Sequence, residues 1–111
     1  MQLLLISLWL ITAPKFIRGD DFTRIIMFAP VPLTRMNIED RVRASYQHAC
    51  LHYVSNQPVN NQSIRKRFNI SKNNVSFASK IIADSIDAGL IKPSDPSNSS
   101  KKFATYIPYW A

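Results

Sequence analysis

The pattern of apolar and polar residues after Asn37 predicts three helices. The first begins at Asn37, because an Asn caps exposed helix amides and two acidic residues follow it in the first turn. Pro58 marks the outer limit of this segment. Apolar residues recur within it at helical spacing and define an inward stripe. That stripe consists of Val42, Tyr46, Ala49, Cys50 and Tyr53.

A second, shorter helix is predicted from Asn61 to Phe68, with Asn60 as its N-terminal cap. Ile64 and Phe68 are four residues apart and therefore point the same way, toward a core. In the turn that follows, Ile70 is predicted to pack its apolar side chain between this helix and the next.

The third helix is predicted over residues 72–88. It ends before Gly89, because glycine suits the left-handed conformation of a helix C-terminal cap. Two acidic residues fall late in this helix, whereas its first turns are polar or basic. Its inward face is expected to consist of Val75, Ala78, Ile81, Ile82 and Ile86.

Sequences typical of β-strands lie on both sides of the helices. "KFIR" and "FTRIIMFA" are rich in β-branched and aromatic residues and flank a Gly-Asp-Asp turn, so residues 15–29 are predicted to form a hairpin. Pro30 and Pro32 are expected to stop any strand and to begin an extended linker. After the third helix, "LIKP" and "FATYIPYW" are predicted to be two strands joined by the polar loop "SDPSNSSKK".

These elements predict an α+β fold. An N-terminal β-hairpin precedes a winged helix-turn-helix, which has three helices and a two-stranded wing. A chain of 111 residues suffices for one such domain with an appendage. We divide it into an apolar N-terminal segment (1–12), the hairpin with its proline-rich linker (13–36) and the winged helix (37–111).

The charge balance favours an anionic partner. Fourteen Lys and Arg residues against seven Asp and Glu give a formal charge of +7, which promotes association with nucleic acid or an anionic membrane surface. From Val59 to the C-terminus there are eight basic and three acidic residues. The half of the chain that holds the predicted helix-turn-helix therefore carries much of the excess positive charge.

A helix-turn-helix lays its second helix in the major groove of duplex DNA. Short polar side chains there reach base edges, and nearby cations reach phosphates. Phosphate contacts position a protein without specifying a sequence, so we expect non-specific affinity before sequence reading. The residues predicted to contact duplex DNA are Arg65, Lys66, Arg67, Lys72, Asn73, Asn74, Ser76 and Lys80, together with Lys101 and Lys102 on the wing.

Two other interpretations stay open. Basic residues on a short amphipathic helix often form only a solvated face. Winged helices also dock on proteins, and the partner would then be a larger protein or a second copy of this chain. In that case exposed aromatic residues such as Phe77, Tyr109 and Trp110 would form the contact.

No motif indicates catalysis or a cofactor. The chain has two glycines, Gly19 and Gly89, so it contains neither a dinucleotide-binding fingerprint nor a P-loop. His48 and His52 are four residues apart, but no further ligands complete a metal site, and we expect both to be exposed or half-exposed. We therefore expect a non-enzymatic protein without metal, cofactor or small-molecule substrate; a catalytic remnant that complements an ATPase in trans is the alternative.

The N-terminal run "MQLLLISLWLI" resembles the apolar core of a signal peptide. It has no basic residue before the apolar stretch and no favourable cleavage site at Ala13. It is also shorter than the about 20 apolar residues that a membrane helix needs. We interpret it as a segment that packs on another surface, expect no membrane association and place the protein in the cytoplasm; secretion is the alternative.

Three stretches support a family resemblance: "EDRVRASYQHACLHYVSNQPVNNQSIRKRFNI" (39–70), "SKIIADSIDAGLIKP" (79–93) and the terminal "YIPYWA" (106–111). They resemble the C-terminal ends of bacterial multidomain proteins described as RecG-like ATP-dependent DNA helicases or as transcriptional regulators with a Schlafen/AlbA-type domain. "APKFIRGDDFTRIIMFAP" (13–30) is similar to the strand pair that closes the preceding domain in those proteins.

The resemblance implies a winged helix that works on DNA in the cytoplasm behind larger N-terminal domains. The family's nucleotide-handling and Schlafen/AlbA-type regions lie upstream of the part that this chain matches. Residues 13–36 would then be the remnant of an upstream domain, and the chain a truncated relative or a fragment. The name "helicase" would then come from the larger relatives, because the part that this chain matches does not include their ATP-hydrolysing domain.

Overall fold

The computed structural model describes residues 10–97 and 103–111, and it confirms the α+β fold. Predictions for residues 1–9 and 98–102, including wing residues Lys101 and Lys102, lie outside this part of the chain. The strands are β1 (Leu10–Ile11), β2 (Lys15–Arg18), β3 (Thr23–Ile26), β4 (Pro30–Val31), β5 (Ile91–Pro93) and β6 (Tyr106–Pro108). The α-helices are α1 (Ile38–Val54), α2 (Asn61–Phe68) and α3 (Val75–Asp87), and 3-10 turns cover Leu33–Arg35 and Lys72–Asn74.

The first four strands form one interrupted antiparallel hairpin. β2 pairs with β3, and β1 pairs with β4. Leu10 lies opposite Val31 and Lys15 opposite Ile26, so both strand pairs keep the same register. The prediction of a linker without strands after residue 29 was wrong, because Pro30 begins β4. A proline at the start of a two-residue strand leaves few ladder hydrogen bonds unmade.

The base of this hairpin is fastened to α1 by long polar side chains. The guanidinium of Arg43 donates two hydrogen bonds of 3.2 Å to the carbonyl oxygen of Ala13. The amide of Gln47 donates one of 2.8 Å to the carbonyl oxygen of Pro14. These bonds satisfy backbone groups where the strand ladder is interrupted, and they hold the hairpin against the helical part.

The predicted starts of α1 and α2 are confirmed, whereas α3 begins at Val75 and not at residue 72, because a 3-10 turn covers Lys72–Asn74. Oδ1 of Asn37 accepts a hydrogen bond of 2.8 Å from the backbone N–H of Asp40 at the start of α1. Asn60 and Ser63 form a reciprocal capping box at the start of α2, with bonds of 2.8 and 3.0 Å. Both caps satisfy amides that have no partner within the helix.

All three α-helices end in the same way, on a residue in the left-handed conformation. A backbone N–H beyond that residue then donates to a carbonyl five positions earlier, which is the Schellman arrangement. The predicted role of Gly89 is confirmed by its φ of 74°, while Asn56 and Asn69 adopt a φ of 56° without being glycine. The closing bonds run from Gln57 to His52, from Ile70 to Arg65 and from Leu90 to Ser85.

The core lies where the helices meet the wing. Ile64, Phe68 and Ile81 are fully buried, as predicted. β6 pairs with β5 on one side, and Tyr106 bridges to Val59 in the α1–α2 connection on the other. The resulting order, in which β6 lies between β5 and the segment before α2, is a winged-helix-like arrangement.

Two predicted inward faces differ from the structure. On α1, Tyr46 and Cys50 are only half-buried and Tyr53 is exposed. Ala44, Ser45 and His48 are buried although they were not predicted to be. α1 lies against both α3 and β6, and the small side chains of Ala44 and Ser45 suit close approach. On α3, Val75 and Ile86 are 45% and 36% exposed. The residues buried on α1 are Val42, Ala44, Ser45, His48 and Ala49, and those on α3 are Ala78, Ile81, Ile82 and Ser85.

In the part of the chain that the structure describes, no helix has both the length and the apolar character needed to cross a lipid bilayer.

Candidate nucleic-acid interface

The three consecutive cations of α2 point in different directions. Successive residues of an α-helix are about 100° apart, because there are about 3.6 residues per turn. Lys66 is exposed opposite the buried pair Ile64 and Phe68. Arg65 and Arg67 therefore lie on the two flanks of α2, and the run does not form one continuous phosphate-binding patch.

Arg67 belongs to the contact between α2 and α1. Its guanidinium lies 5.4 Å from the centre of the Phe68 ring, and burial lowers its pKa. His48 on α1 is close enough for the charge of Arg67 to affect its titration. Arg67 thus contributes to helix packing, and its side chain is half-buried.

Arg65 lies on the other flank and is linked to α3 through Asn61. Nε–H of Arg65 donates a hydrogen bond of 2.8 Å to Oδ1 of Asn61. The amide nitrogen of Asn61 in turn donates to the carbonyl oxygen of Val75 at 3.1 Å and to Oγ of Ser79 at 3.0 Å. The cation is therefore held beside the helix that is predicted to enter the major groove.

The start of α3 is polar, exposed and not capped by a side chain. Neither Ser71 nor Asn74, the residues at the cap positions of the 3-10 turn and of α3, makes a capping bond. No acidic residue lies in the first turn, whereas α1 has two acids there and α2 has its capping box. Four predicted DNA-contacting residues are exposed here, namely Lys72, Asn73, Asn74 and Ser76.

Lys80 is exposed on α3 and pairs with Asp84 one turn later. Its Nζ lies 3.1 Å from Oδ2 of Asp84. An exposed ion pair of this kind is worth about 0–1 kcal/mol, so a phosphate can replace the carboxylate at little cost.

The stretch from the beginning of α2 to the middle of α3 has a single sign of charge. Residues 61–80 contain five basic and no acidic residues. The acids of α3 follow only at Asp84 and Asp87, and those of α1 lie in its first turn at Glu39 and Asp40. An approaching polyanion therefore meets cations around the N-terminal part of α3 and carboxylates at its far end.

Sequence reasoning missed two polar contacts. One is the link from Arg65 through Asn61 to α3, since nothing in the sequence indicates that the side chain of Asn61 has partners on the third helix. The other involves His48, which is buried and not exposed as expected. Its Nε2 lies 3.1 Å from Oγ of Ser63, and its ring centre lies 4.0 Å from that of His52.

The burial of His48 changes its acid–base properties. Desolvation, followed by the nearby charges of His52 and Arg67, lowers the pKa of His48 from 6.5 to about 4. The ring is therefore neutral at physiological pH.

The C-terminal aromatic residues pack on α1. Nε1–H of Trp110 donates a hydrogen bond of 3.0 Å to the hydroxyl of Tyr46, and the Trp110 and Tyr53 rings meet edge to face. Tyr109 stacks on Tyr46 at 6.0 Å between ring centres. Phe77 is half-buried beneath the guanidinium of Arg41, 5.1 Å away, so it is a weak candidate for an exposed docking residue.

No known family model, curated protein or solved structure matches this chain. The resemblance to RecG-like and Schlafen/AlbA-type proteins therefore remains an expectation from the sequence.

Proposed function

We propose that this protein is a winged-helix module that binds duplex DNA through α3 and the cations beside it. The single observation that carries the proposal is the start of α3, which is exposed, uncapped by side chains and free of acidic residues. Helix N-termini of this kind favour phosphate oxygens, because the helix dipole and backbone N–H groups without an intrahelical acceptor both attract anions. The N–H of Asn74 is not one of these groups, since it donates to the carbonyl oxygen of Ser71 in the preceding 3-10 turn.

In the proposed mechanism, charge attracts the duplex first and α3 then enters the major groove. Lys66 and Lys72 are exposed and contact phosphates, and Arg65 is held toward the same helix by Asn61. Asn73, Asn74 and Ser76 carry short polar side chains that suit base edges or the sugar-phosphate backbone. Lys101 and Lys102 would extend the contact from the wing.

Fluorescence anisotropy with a labelled random-sequence duplex, repeated across a salt series, tests this proposal. The logarithm of the affinity should fall linearly with the logarithm of salt concentration, with a slope of about −0.9 for each phosphate neutralised. Lys66→Gln and Lys72→Gln should each weaken binding and make the slope shallower by about 0.9. A chain that binds no duplex at low salt would refute the function.

A matched control separates local contacts from net charge. Arg18→Gln removes one positive charge from the exposed end of β2, outside the helix-turn-helix. It should change the salt slope far less than Lys72→Gln. Equal changes of the salt slope in Arg18→Gln and Lys72→Gln would show that DNA, even if it binds, does not bind at α3 and the cations beside it.

The biological role that we propose is transcriptional regulation, or DNA contact at the C-terminal end of a larger RecG-like machine in the bacterial cytoplasm. The resemblance to RecG-like and Schlafen/AlbA-type proteins supports this role. The module itself would be non-enzymatic, and any ATP-driven step would belong to another domain. A measurable ATPase rate from the purified chain would contradict that assignment.

A protein-docking function is the second candidate, and the exposed hairpin favours it. Phe16 on β2 is 61% exposed and Met27 after β3 is 82% exposed. Other large apolar side chains are exposed on the same hairpin, namely Ile17, Phe22, Ile25 and Phe28. Salt-insensitive self-association or partner binding that is lost in Phe16→Ser, without any binding to duplex DNA, would favour docking over the DNA function.

A further inference from the structure

A cavity of about 650 Å³ lies between the start of α2, one flank of α3 and β6. This volume is in the range of small-molecule sites, which commonly measure about 300–1,000 Å³. The cavity is beside the face of α3 that is proposed to meet DNA, and it is open to solvent. Its walls include Asn61, Arg65, Val75, Ser79, Ile86 and Tyr106.

One wall of the cavity is aliphatic although it is exposed. Val75 and Ile86 have the helical spacing of core residues, yet they are 45% and 36% exposed because no part of the described chain covers this flank of α3. Ala83, which is exposed, and the edge of the otherwise buried Ile82 continue the wall between them. Exposed aliphatic surface in a concave site favours an apolar group over water.

The opposite wall carries one oriented cation. Asn61 accepts from Nε of Arg65 and is itself fixed by Val75 and Ser79 on α3. Because this bond uses only Nε–H, the guanidinium retains N–H donors on both terminal nitrogens, which is the geometry that pairs with a carboxylate. No acidic residue is among the described residues that line the cavity, so the local charge selects anions.

We propose that this cavity binds a small monocarboxylate with an aliphatic or aromatic body. The carboxylate pairs with the guanidinium of Arg65, and the body lies on Val75, Ile82 and Ile86. A phosphate or a sugar fits the site less well, because it has no apolar group to cover the aliphatic wall. The inference does not depend on DNA binding, since it rests on the cavity alone.

Methyl chemical shifts measured by NMR without DNA provide the test, with three probes of equal chain length. Octanoate should give saturable shifts at the methyl groups of Val75 and Ile86, while octanol and octylamine bind at least about tenfold more weakly because they lack the anion. Equal affinity for octanol and octanoate, or the absence of saturable shifts at these methyls, would overturn the proposal.

Two variants and one control identify the site. Arg65→Gln should weaken octanoate binding about tenfold or more, since a hydrogen bond to a charged group is lost. Ala83→Phe should block the cavity while Arg65 stays in place. Lys66→Gln removes the same charge from the outer face of α2 and should leave octanoate binding unchanged. If the two site variants bind octanoate as the unmodified protein does, the assignment fails.

The outcome is separable from the DNA proposal. Octanoate binding that disappears in Ala83→Phe, in a chain that does not bind duplex, would support the cavity and refute the DNA function. Normal DNA binding without any octanoate response would do the reverse.

Discussion

Asn61 connects Arg65 to the neighbouring helix. Its carboxamide accepts from Nε of Arg65 at 2.8 Å and donates to Oγ of Ser79 at 3.0 Å. One short side chain at the beginning of α2 thereby orients a cation and also fastens α2 to α3. The geometry makes Asn61 a positioning residue for Arg65, and it predicts that the two side chains act as a unit.

The first prediction concerns this unit. Asn61→Ala should lower the free energy of unfolding by about 1–2 kcal/mol, because its hydrogen bonds between α2 and α3 are lost. Gln62→Ala is the control, since Gln62 is the next residue and is exposed. Urea denaturation of both variants measures the difference. Equal stabilities for the two variants would contradict the role given to Asn61.

A double-mutant cycle on DNA affinity tests the orienting role separately. If Asn61 holds Arg65 in place, Arg65→Gln should weaken duplex binding less in the Asn61→Ala background than in the unmodified protein. Additive effects of the two substitutions would mean that Arg65 finds its phosphate without help from Asn61.

The ion pair on α3 leads to a second prediction, in which affinity rises. Asp84 lies on the proposed DNA-binding helix, and Asp84→Asn removes the carboxylate that pairs with Lys80. Duplex affinity should increase about two- to fivefold, which corresponds to the about 0.5–1 kcal/mol expected of an exposed pair. Anisotropy at fixed salt gives the value.

The control for Asp84→Asn is Asp21→Asn, which changes the net charge equally at the tip of the hairpin. Asp21 is exposed in the turn between β2 and β3. If Asp21→Asn strengthens duplex binding as much as Asp84→Asn does, the gain in affinity comes from the overall charge and not from a DNA contact on α3.

The third prediction concerns the end of α3. Gly89 has a φ of 74°, and an added Cβ would meet no atom within 4 Å. Gly89→Ala should therefore destabilise the fold only through backbone strain, by about 1 kcal/mol. Gly89→Asn should cost less, because Asn tolerates this conformation and already adopts it at Asn56 and Asn69. Thermal unfolding of the two variants gives the order, and the reverse order would contradict the explanation.

Local chemistry explains which parts of the fold could be predicted from the sequence. Asn37 and Asn60 cap helices through their own side chains, and Gly89 ends α3 through its own backbone, so a few adjacent residues contain the information. The pair Ile64 and Phe68 was also predictable, because a short helix with two large apolar residues has one way to face a core.

The faces of the longer helices could not be deduced in this way. Tyr46 and Tyr53 have core spacing on α1, but they lie against the C-terminal residues Tyr109 and Trp110 at the surface, so Tyr46 is half-buried and Tyr53 is exposed. Val75 has core spacing on α3, yet it borders an open cavity. Which arc of a helix is buried depends on elements whose positions the periodicity does not contain.

For the candidate site, the sequence predicted which residue types are present better than it predicted the directions in which their side chains point. The exposure of Lys66, Lys72 and Asn73 agrees with the expectation, since polar side chains away from a core stay in solvent. The half-burial of Arg67 differs from it, although the angle between successive helical residues already indicated that Arg65 and Arg67 diverge. His48 on α1, which lies close enough to Arg67 to feel its charge, is distant in the sequence and gave no signal.

The last prediction follows from His48, which sits between α1 and α2. Its pKa of about 4 lies below the ordinary value of 6.5, because burial and then the charges of His52 and Arg67 disfavour the protonated ring. The unfolded chain therefore binds more protons than the folded one between these two values. The free energy of unfolding should therefore fall as the pH drops from about 6.5 to about 4. Above about 6.5 the ring is neutral in both states, and the stability that is lost at lower pH is fully present.

The size of the effect and its control follow from the same contact. Some solvent reaches the ring, so we expect a loss of about 1–2 kcal/mol across this range rather than the full value of the shift. His48→Gln places an amide near Oγ of Ser63 but has no proton to gain, and its urea-unfolding profile should depend less on pH by that amount. Because other acids titrate in both proteins, the difference between the two profiles isolates His48. Parallel profiles would mean that protonation of His48 does not disturb the contact between α1 and α2.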